Sequence, residues 1–217
     1  GAEILLVPNG SPYYRGKQEV RQTLMVSRTV ETGLPLVYLN LAGGQDDQVF
    51  DGASFVLNPG GRLAVQCPFL EEDLYHVDFE ETGNGWRAVE GGKAALPDEW
   101  EADYHVMVVA LRDYLRKSGF SHVLLGLSGG VDSAIVAAIA ADAIGPDKVR
   151  CVMLPSPYTS GHSLEDAAEV AQNLGCRIDT VPITGSFEAV KDALAPVFAG
   201  MDEDITEENI QSRLRGL

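Results

Sequence analysis

Residues Ser128-Gly129-Gly130-Val131-Asp132-Ser133 decide how this chain is read. They follow an apolar run, His122-Val123-Leu124-Leu125-Gly126-Leu127, and lead into an Ala-rich run from Ala134 to Ala143. That order reads strand, glycine loop, helix. Paired glycines let the backbone turn tightly, so several N–H groups can point at one anion. The helix start behind the loop adds partial positive charge at the same spot. Ser128 and Ser133 offer hydroxyl donors, and Asp132 is an oxygen ligand for a magnesium ion, a metal that favours carboxylates and phosphates. The pattern suits a pyrophosphate or triphosphate. It is not a Walker loop, because no Gly-Lys-Ser/Thr comes after it. The competing reading of a bare Ser-Gly-Gly is a simple turn between a strand and a helix; Asp132, Ser133 and the strand–helix context weigh against it.

The totals bound the rest. A chain of 217 residues holds one large domain or two small ones. Hydrophobic content of 45% with 22% charged residues is ordinary for a globular protein. A net charge of −16 argues against a nucleic-acid surface, which needs a basic face. Anionic ligands must then be held by loop amides, Mg²⁺ and a few cationic side chains. Cys67, Cys151 and Cys176 are widely spaced and form no metal pattern. Cys151 and Cys176 read as core thiols, and the set suits a reducing cytosol, so the expected location is cytoplasmic. No apolar run reaches membrane-spanning length, and the first residues do not read as a signal peptide.

The pattern of elements divides the chain. Residues 2–7 read as a fully buried strand. Arg15 to Glu31 has helical spacing, with Val20, Leu24, Ser27 and Val30 on one side and Gly33 as its stop. Leu36 to Leu39 reads as a second buried strand. Ala53 to Leu57 and Arg62 to Val65 flank Asn58-Pro59-Gly60-Gly61, a hairpin signal. Leu74 to Val77 is a further strand candidate. Between Glu80 and Pro97 the periodicity is lost and glycines punctuate a polar stretch, which reads as a linker. Asp98 to Lys117 is an amphipathic helix with Tyr104, Val108, Leu111 and Leu115 on one stripe, ended by Gly119. The remainder alternates strand and helix. Strands are expected near the glycine loop, over Val149–Leu154 and over Ile178–Ile183. Helices are expected over Ala134–Ala143, over Ser163–Leu174 with Ser163 as N-cap and Gly175 as stop, and over Phe187–Phe198. A βαβαβ order implies a parallel sheet flanked by helices, with ligands at the carboxyl ends of its strands. Residues 205–215 read as a helix with Thr206 as N-cap.

The glycine loop resembles the signature of the N-type ATP pyrophosphatases. That resemblance implies adenylylation of a carboxylate or carbonyl with release of pyrophosphate. Met153-Leu-Pro-Ser-Pro-Tyr-Thr-Ser160, Ser163-Leu-Glu-Asp-Ala167 and Ile205-Thr-Glu-Glu-Asn-Ile-Gln-Ser-Arg-Leu-Arg215 resemble the NAD synthetase branch. Ala2 to Lys17, Leu34 to Asp47 and Val49 to Leu57 resemble the later part of a nitrilase-type amidase. The two together resemble the glutamine-dependent NAD synthetases. The implied fold class is α/β: the C-terminal part of a nitrilase-like αββα sandwich over residues 1–90, a linker at 91–97, and the first half of a parallel-sheet, adenine-nucleotide alpha hydrolase-like domain over 98–217. The implied activity is a carbon–nitrogen ligase that amidates deamido-NAD with ATP, using ammonia from L-glutamine.

Carried over onto this chain, the resemblance implies ATP contacts at Gly126, Leu127, Ser128, Gly129, Gly130, Val131, Asp132 and Ser133, with Met153 and Leu154 beside the adenine. It implies Mg²⁺ on Asp132. It implies deamido-NAD contacts at Asn209 and Arg213, with Arg215 near the phosphates, and glutamine contacts at Ser11 and Lys17. On position alone Ser11 is equally a turn residue, Lys17 a surface lysine, and the last helix a solvated one with acidic residues leading and basic residues trailing. The glutaminase Glu, Lys and Cys of the family are expected upstream of this segment, since Cys67 lies in the wrong context, and further nucleotide contacts are expected beyond Leu217. The chain therefore reads as an internal fragment of a longer, homo-oligomeric enzyme, without nucleic-acid or membrane partners. A nucleotide-binding fragment with no turnover, or another N-type pyrophosphatase such as GMP synthetase, are the alternatives.

Overall fold

The computed structural model describes residues 1–200 and 204–216. It separates into two compact units, Gly1–Gly119 and Phe120–Leu217.

The first unit is built on a four-stranded sheet in the order β1 (Leu5–Asn9), β2 (Leu36–Asn40), β5 (Phe55–Asn58), β6 (Arg62–Gln66). β1 and β2 are parallel, joined by helix α1 (Lys17–Thr32); the remaining pairs are antiparallel. Alternation along the strands separates the two faces of the sheet. Leu36, Tyr38, Phe55 and Leu57 point to one face, where Met25 and Val26 of α1 pack on them. Val56, Ala64 and Val65 point to the other and meet Ala88 and Phe79. The first strand is not buried throughout: β1 sits at a sheet edge and Leu6 is 72% exposed. The Asn58–Gly61 hairpin forms as expected.

Helix α1 forms and stops at Gly33, which takes a left-handed φ of 68°. Its rotation differs from the apolar reading. Val20, Leu24, Ser27 and Val30 are exposed, whereas Arg21 and Thr29 are buried. The reason is a buried ion pair with Asp51 that turns Arg21 inward.

No strand forms over Leu74–Val77. The stretch expected to be a linker instead holds a hairpin, β7 (Phe79–Thr82) and β8 (Gly85–Ala88), with Gly83-Asn84 as its two-residue loop. Its strands are four residues long, too short for the alternation to show. Asn58 ties the hairpin to the sheet, donating to Ala88 O at 2.9 Å and accepting from Ala88 N at 2.8 Å. Residues 91–94 run along β6, with Gly91 N donating to Ala64 O and Ala94 N to Gln66 O.

Helix α2 (Glu99–Ser118) is capped by Asp98, whose carboxylate accepts from Glu101 N at 2.9 Å, and ends at Gly119. It packs within the first unit against the small hairpin β3 (Ala42–Gln45) and β4 (Gln48–Asp51). Asp113 accepts from Gly44 N at 2.8 Å, and Lys117 donates to Gly44 O.

The second unit is a three-stranded parallel sheet in the order β11 (Arg177–Thr180), β10 (Val149–Met153), β9 (Val123–Gly126). Helix α3 (Val131–Ile144) links β9 to β10, and α4 (Gly161–Leu174) links β10 to β11. Alanines 137, 140, 141 and 143 are buried on α3, where short side chains let α3 approach α4 and β10 closely. Helices α5 (Thr184–Leu194) and α6 (Ile205–Arg215) complete the unit. Four expected details move. The strand expected over Ile178–Ile183 runs only over Arg177–Thr180. Ser160, not Ser163, caps α4, accepting from Ser163 N at 3.1 Å. Asp204, not Thr206, caps α6, and Glu207 returns a bond to Asp204 N in a capping box. Helix α5 begins at Thr184 and ends at Leu194, ahead of the expected Phe187–Phe198.

Candidate functional site

The loop between β9 and α3 stands at the carboxyl end of the parallel sheet, where this topology places ligands. Leu127 is buried, and its N–H donates to Val152 O at 2.9 Å, so the loop leaves the sheet from a fixed point. Ser133 Oγ organises the turn from Ser128 to Gly130. It accepts from Ser128 N at 3.2 Å, lies 2.9 Å from Ser128 Oγ and donates to Gly130 O at 2.9 Å. Ser128 Oγ accepts in turn from Gly130 N at 3.3 Å. Gly129 has φ +83°, a conformation that side chains other than glycine rarely adopt.

Gly130 is the N-cap of α3, and no side chain caps that helix. The first-turn N–H groups of a helix have no intrahelical acceptor and carry the positive end of its dipole. Val131 and Asp132 are exposed in that first turn, Asp132 supplying its one carboxylate. A Mg²⁺ ion keeps several waters and needs only one or two protein carboxylates beside phosphate oxygens, so a lone Asp at this point fits such an ion.

Next to the loop lies a cavity of about 450 Å³. Gly126 at the end of β9 and Leu127 and Ser128 of the loop line it, with Met153 at the end of β10, Leu154 just after it, and Gln211 and Arg215 from α6. Five of the expected nucleotide contacts, Gly126, Leu127, Ser128, Met153 and Leu154, therefore share one cavity. Of the α6 arginines it is Arg215 that reaches the wall. Its guanidinium holds Gln211 Oε1 at 2.8 and 2.9 Å, while the Gln211 amide nitrogen donates to Ser156 Oγ at 3.0 Å. A guanidinium only donates, which fixes that amide orientation. Asn209 and Arg213 lie on exposed parts of α6 outside this cavity wall, and Asn209 Nδ2 donates to Ile205 O at 2.9 Å. Tyr158, Thr159 and Ser163 also line the cavity. They lie inside the Met153–Ser160 and Ser163–Ala167 motifs, but no local signal marks them as wall residues.

In the first unit, Ser11 comes just after β1 and Lys17 opens α1. Lys17 Nζ sits 4.4 Å from the centre of the Tyr14 ring, beside a cavity of about 200 Å³ that Tyr13, Phe69 and Pro97 also line. Ser11 is gripped by residues that the sequence does not single out. Arg21 and Asp51 form a buried pair, with Arg21 Nη1 2.8 and 2.6 Å from the two Asp51 oxygens. Tyr13 and Arg15, on the same segment, bind Asp103 of α2 at 2.8 and 2.6 Å. Burial and the Asp103 bond push the Tyr13 phenol up to about 12.

Two of the three cysteines are buried and Cys67 is half-buried. Cys151 and Cys176 are buried, and burial raises both thiols, Cys151 to about 11, away from nucleophilic use. Burial raises Cys67 too. Among the described residues no cluster of three or more His, Cys, Asp or Glu side chains is arranged to hold a metal. No described helix is long and apolar enough to cross a membrane.

Fold and site together define a two-unit α/β protein, with a carbon–nitrogen hydrolase-type sheet in one unit and a glycine-loop parallel sheet in the other. The family model for carbon–nitrogen hydrolase matches residues 1–88 and that for NAD synthase matches residues 104–217. The chain belongs to the NAD synthase family. It is 62% identical over 217 residues to the glutamine-dependent NAD(+) synthetase of Rhodobacter capsulatus, covering 100% of this chain and 39% of that protein. It is 46% identical over 226 residues to the enzyme of that name from Xylella fastidiosa (strain 9a5c), covering 100% of this chain and 40% of that protein. The solved structure of glutamine-dependent NAD+ synthetase from Acinetobacter baumannii, in complex with ADP, matches with a TM-score of 0.92 at 42% identity. That match covers 99% of this chain and 40% of the other. The chain thus spans about 40% of the length of these relatives. The NAD synthase match begins inside α2, a helix that packs with the first unit.

Proposed function

We propose that this chain is part of a cytoplasmic, homo-oligomeric, glutamine-dependent NAD synthetase. It would carry the phosphate-gripping loop of the ligase site and part of the wall of the glutamine site. The observation that carries this reading is the joining, in one chain, of a carbon–nitrogen hydrolase match with a glycine loop at the head of an NAD synthase match.

In the proposed reaction the carboxylate of deamido-NAD attacks the α-phosphorus of ATP. The acyl adenylate forms and pyrophosphate leaves. Ammonia then attacks the acyl carbon, the amide forms, and AMP leaves with one proton released. Such a transfer needs positioning and charge stabilisation more than covalent help from the protein. Loop amides from Ser128 to Ser133 and the uncapped start of α3 face the polyphosphate. Met153 and Leu154 flank the adenine, and Asn209 and Arg213 contact deamido-NAD. Asp132 would hold Mg²⁺, which when bound neutralises charge on the leaving pyrophosphate. Ser11 and Lys17 contact glutamine in the amidase half.

The test is the full-length protein assayed for AMP and pyrophosphate release with deamido-NAD, xanthosine monophosphate or no acceptor. Release that depends on deamido-NAD supports the reading. Release with xanthosine monophosphate instead, or none with any acceptor, rejects it. Asp132→Ala is expected to abolish NAD formation from ammonia; a normal rate in that variant would sink the metal role.

A further inference from the structure

Ser11 is held on every polar atom it has. Its N–H donates to Asn40 Oδ1 at 2.8 Å. Its carbonyl accepts from Arg21 Nη2 at 2.7 Å and from Asn40 Nδ2 at 3.1 Å. Its hydroxyl accepts from Arg21 Nε at 3.2 Å. Both gripping side chains converge on one carboxylate, for Asn40 Nδ2 also donates to Asp51 Oδ1 at 3.2 Å beside the two Arg21 contacts. Arg21 is 3% exposed, Asp51 1% and Asn40 6%. Taking a guanidinium and a carboxylate out of water is costly unless geometry and further hydrogen bonds offset it, and a hydrophobic pair often serves stability as well. The return here is orientation of residue 11.

We infer that Arg21, Asp51 and Asn40 form a positioning device for the glutamine-binding segment, which presents Ser11 as a hydrogen-bond donor to an anionic oxygen of the amino-acid substrate. This rests on the proposed function of that segment. The chemistry comes from donor and acceptor counts. A guanidinium cannot accept, so a hydroxyl that accepts from it keeps its proton for an outside acceptor. The Ser11 N–H and carbonyl are already engaged, so what the residue offers a ligand is its hydroxyl, with its proton free to donate and one lone pair left. Lys17 lies four residues before Arg21 on α1, and residues at that spacing share one helix face. The anchor that fixes Ser11 directly therefore also fixes the rotation of the helix bearing Lys17. Lys17 lines the cavity of about 200 Å³ and Ser11 does not, so the anchor acts on Ser11 directly and on Lys17 only through the helix.

The experiment uses the full-length protein and compares glutamine-dependent with ammonia-dependent NAD formation. Arg21→Lys keeps the charge and loses the fork. It should raise the KM for glutamine about tenfold, while the ammonia-dependent rate stays within about twofold. The double variant with Ser11→Ala should be no worse than about three times the poorer single variant, because both changes act on one contact. If Arg21→Lys does not fold, Asn40→Ala carries the same expectation. An unchanged glutamine KM overturns the inference. So does an equal loss of both activities, which marks a purely structural pair, and so does full multiplication in the double variant. A wild-type protein that uses ammonia but not glutamine overturns the glutamine reading of this segment, and the positioning role with it.

Discussion

The peptide of Ser163, in the first turn of α4, lies against Gly129 so closely that a Cβ at residue 129 would stand 2.9 Å from both the Ser163 carbonyl carbon and its Cα, with the carbonyl oxygen nearer still. Two separate constraints therefore demand glycine, the left-handed φ and the neighbouring backbone. Gly129→Ala should destabilise the unit by about 1–3 kcal/mol. It should also lower ATP-dependent pyrophosphate release at least about a hundredfold, since small misplacements near a reacting centre have effects of that size. Thermal unfolding and single-turnover assays of the full-length protein check both parts.

Ser133 is the internal brace of the loop, with its hydroxyl shared among Ser128 N, Ser128 Oγ and Gly130 O. Ser133→Ala leaves the fold intact but frees the loop. The KM for ATP is expected to rise about tenfold, with a stability change within about 0.5 kcal/mol. A stability loss without a change in nucleotide affinity would show that the brace serves the fold alone.

Arg215 links α6 to the residue 154–159 loop through Gln211, which in turn reaches Ser156. Arg215→Met keeps the length of the side chain and removes its donors. Weaker nucleotide binding by about tenfold is expected, measured by titration calorimetry with ATP, with the first unit unaffected.

Gly44 meets α2 at close range: a Cβ there would be 3.1 Å from Asp113 Cβ and 3.4 Å from the Ala110 backbone. Asp113→Ala leaves the Gly44 N–H without its partner inside a buried contact and should cost about 1–3 kcal/mol. Hydrogen exchange of the Gly44 amide should quicken in step.

Asp103 and Tyr13 give that docking a pH range. The Arg15 hydrogen bond, then that of Tyr13, holds the Asp103 carboxyl below the usual carboxylate value of 3.8. A depressed carboxylate contributes above its unfolded pKa and loses its contribution as pH falls through the folded value. Tyr13 is raised from 10.0 to about 12, so its contribution is full below pH 10 and disappears as pH rises through about 12. Asp103→Asn should bring the Tyr13 transition down toward 10.0, as followed by ultraviolet phenolate absorbance.

Features written by short-range chemistry were legible in the sequence. Glycine stops at residues 33, 119 and 175, the Asn58–Gly61 turn, the strand–loop–helix order around Ser128 and the parallel alternation of the second half all depend on neighbours within a few residues. The candidate phosphate loop belongs to the same class, because backbone conformation and helix start are local properties. Features that depend on distant partners were not legible. The β7–β8 hairpin is too short and polar to signal itself, and Asn58, some thirty residues away, secures it. The apolar stripe of α1 mispredicts its buried face because Asp51, far along the chain, draws Arg21 inward.

What the sequence determined by itself is the order of elements and the chemical character of each loop. Tertiary structure alone decided which residues those loops meet. It put the Ser163 backbone behind Gly129, brought Arg215 rather than Arg213 to the cavity wall, laid α2 along the first unit, and gathered Arg21, Asn40 and Asp51 around Ser11. The physical reason is range. Turn and helix propensities act over a few residues, whereas the buried Arg21–Asp51 pair joins residues thirty positions apart, which only the tertiary fold brings together. The loop at Ser128 could be recognised from six letters, but one of the two demands for glycine at its second position comes from a helix that begins at Gly161.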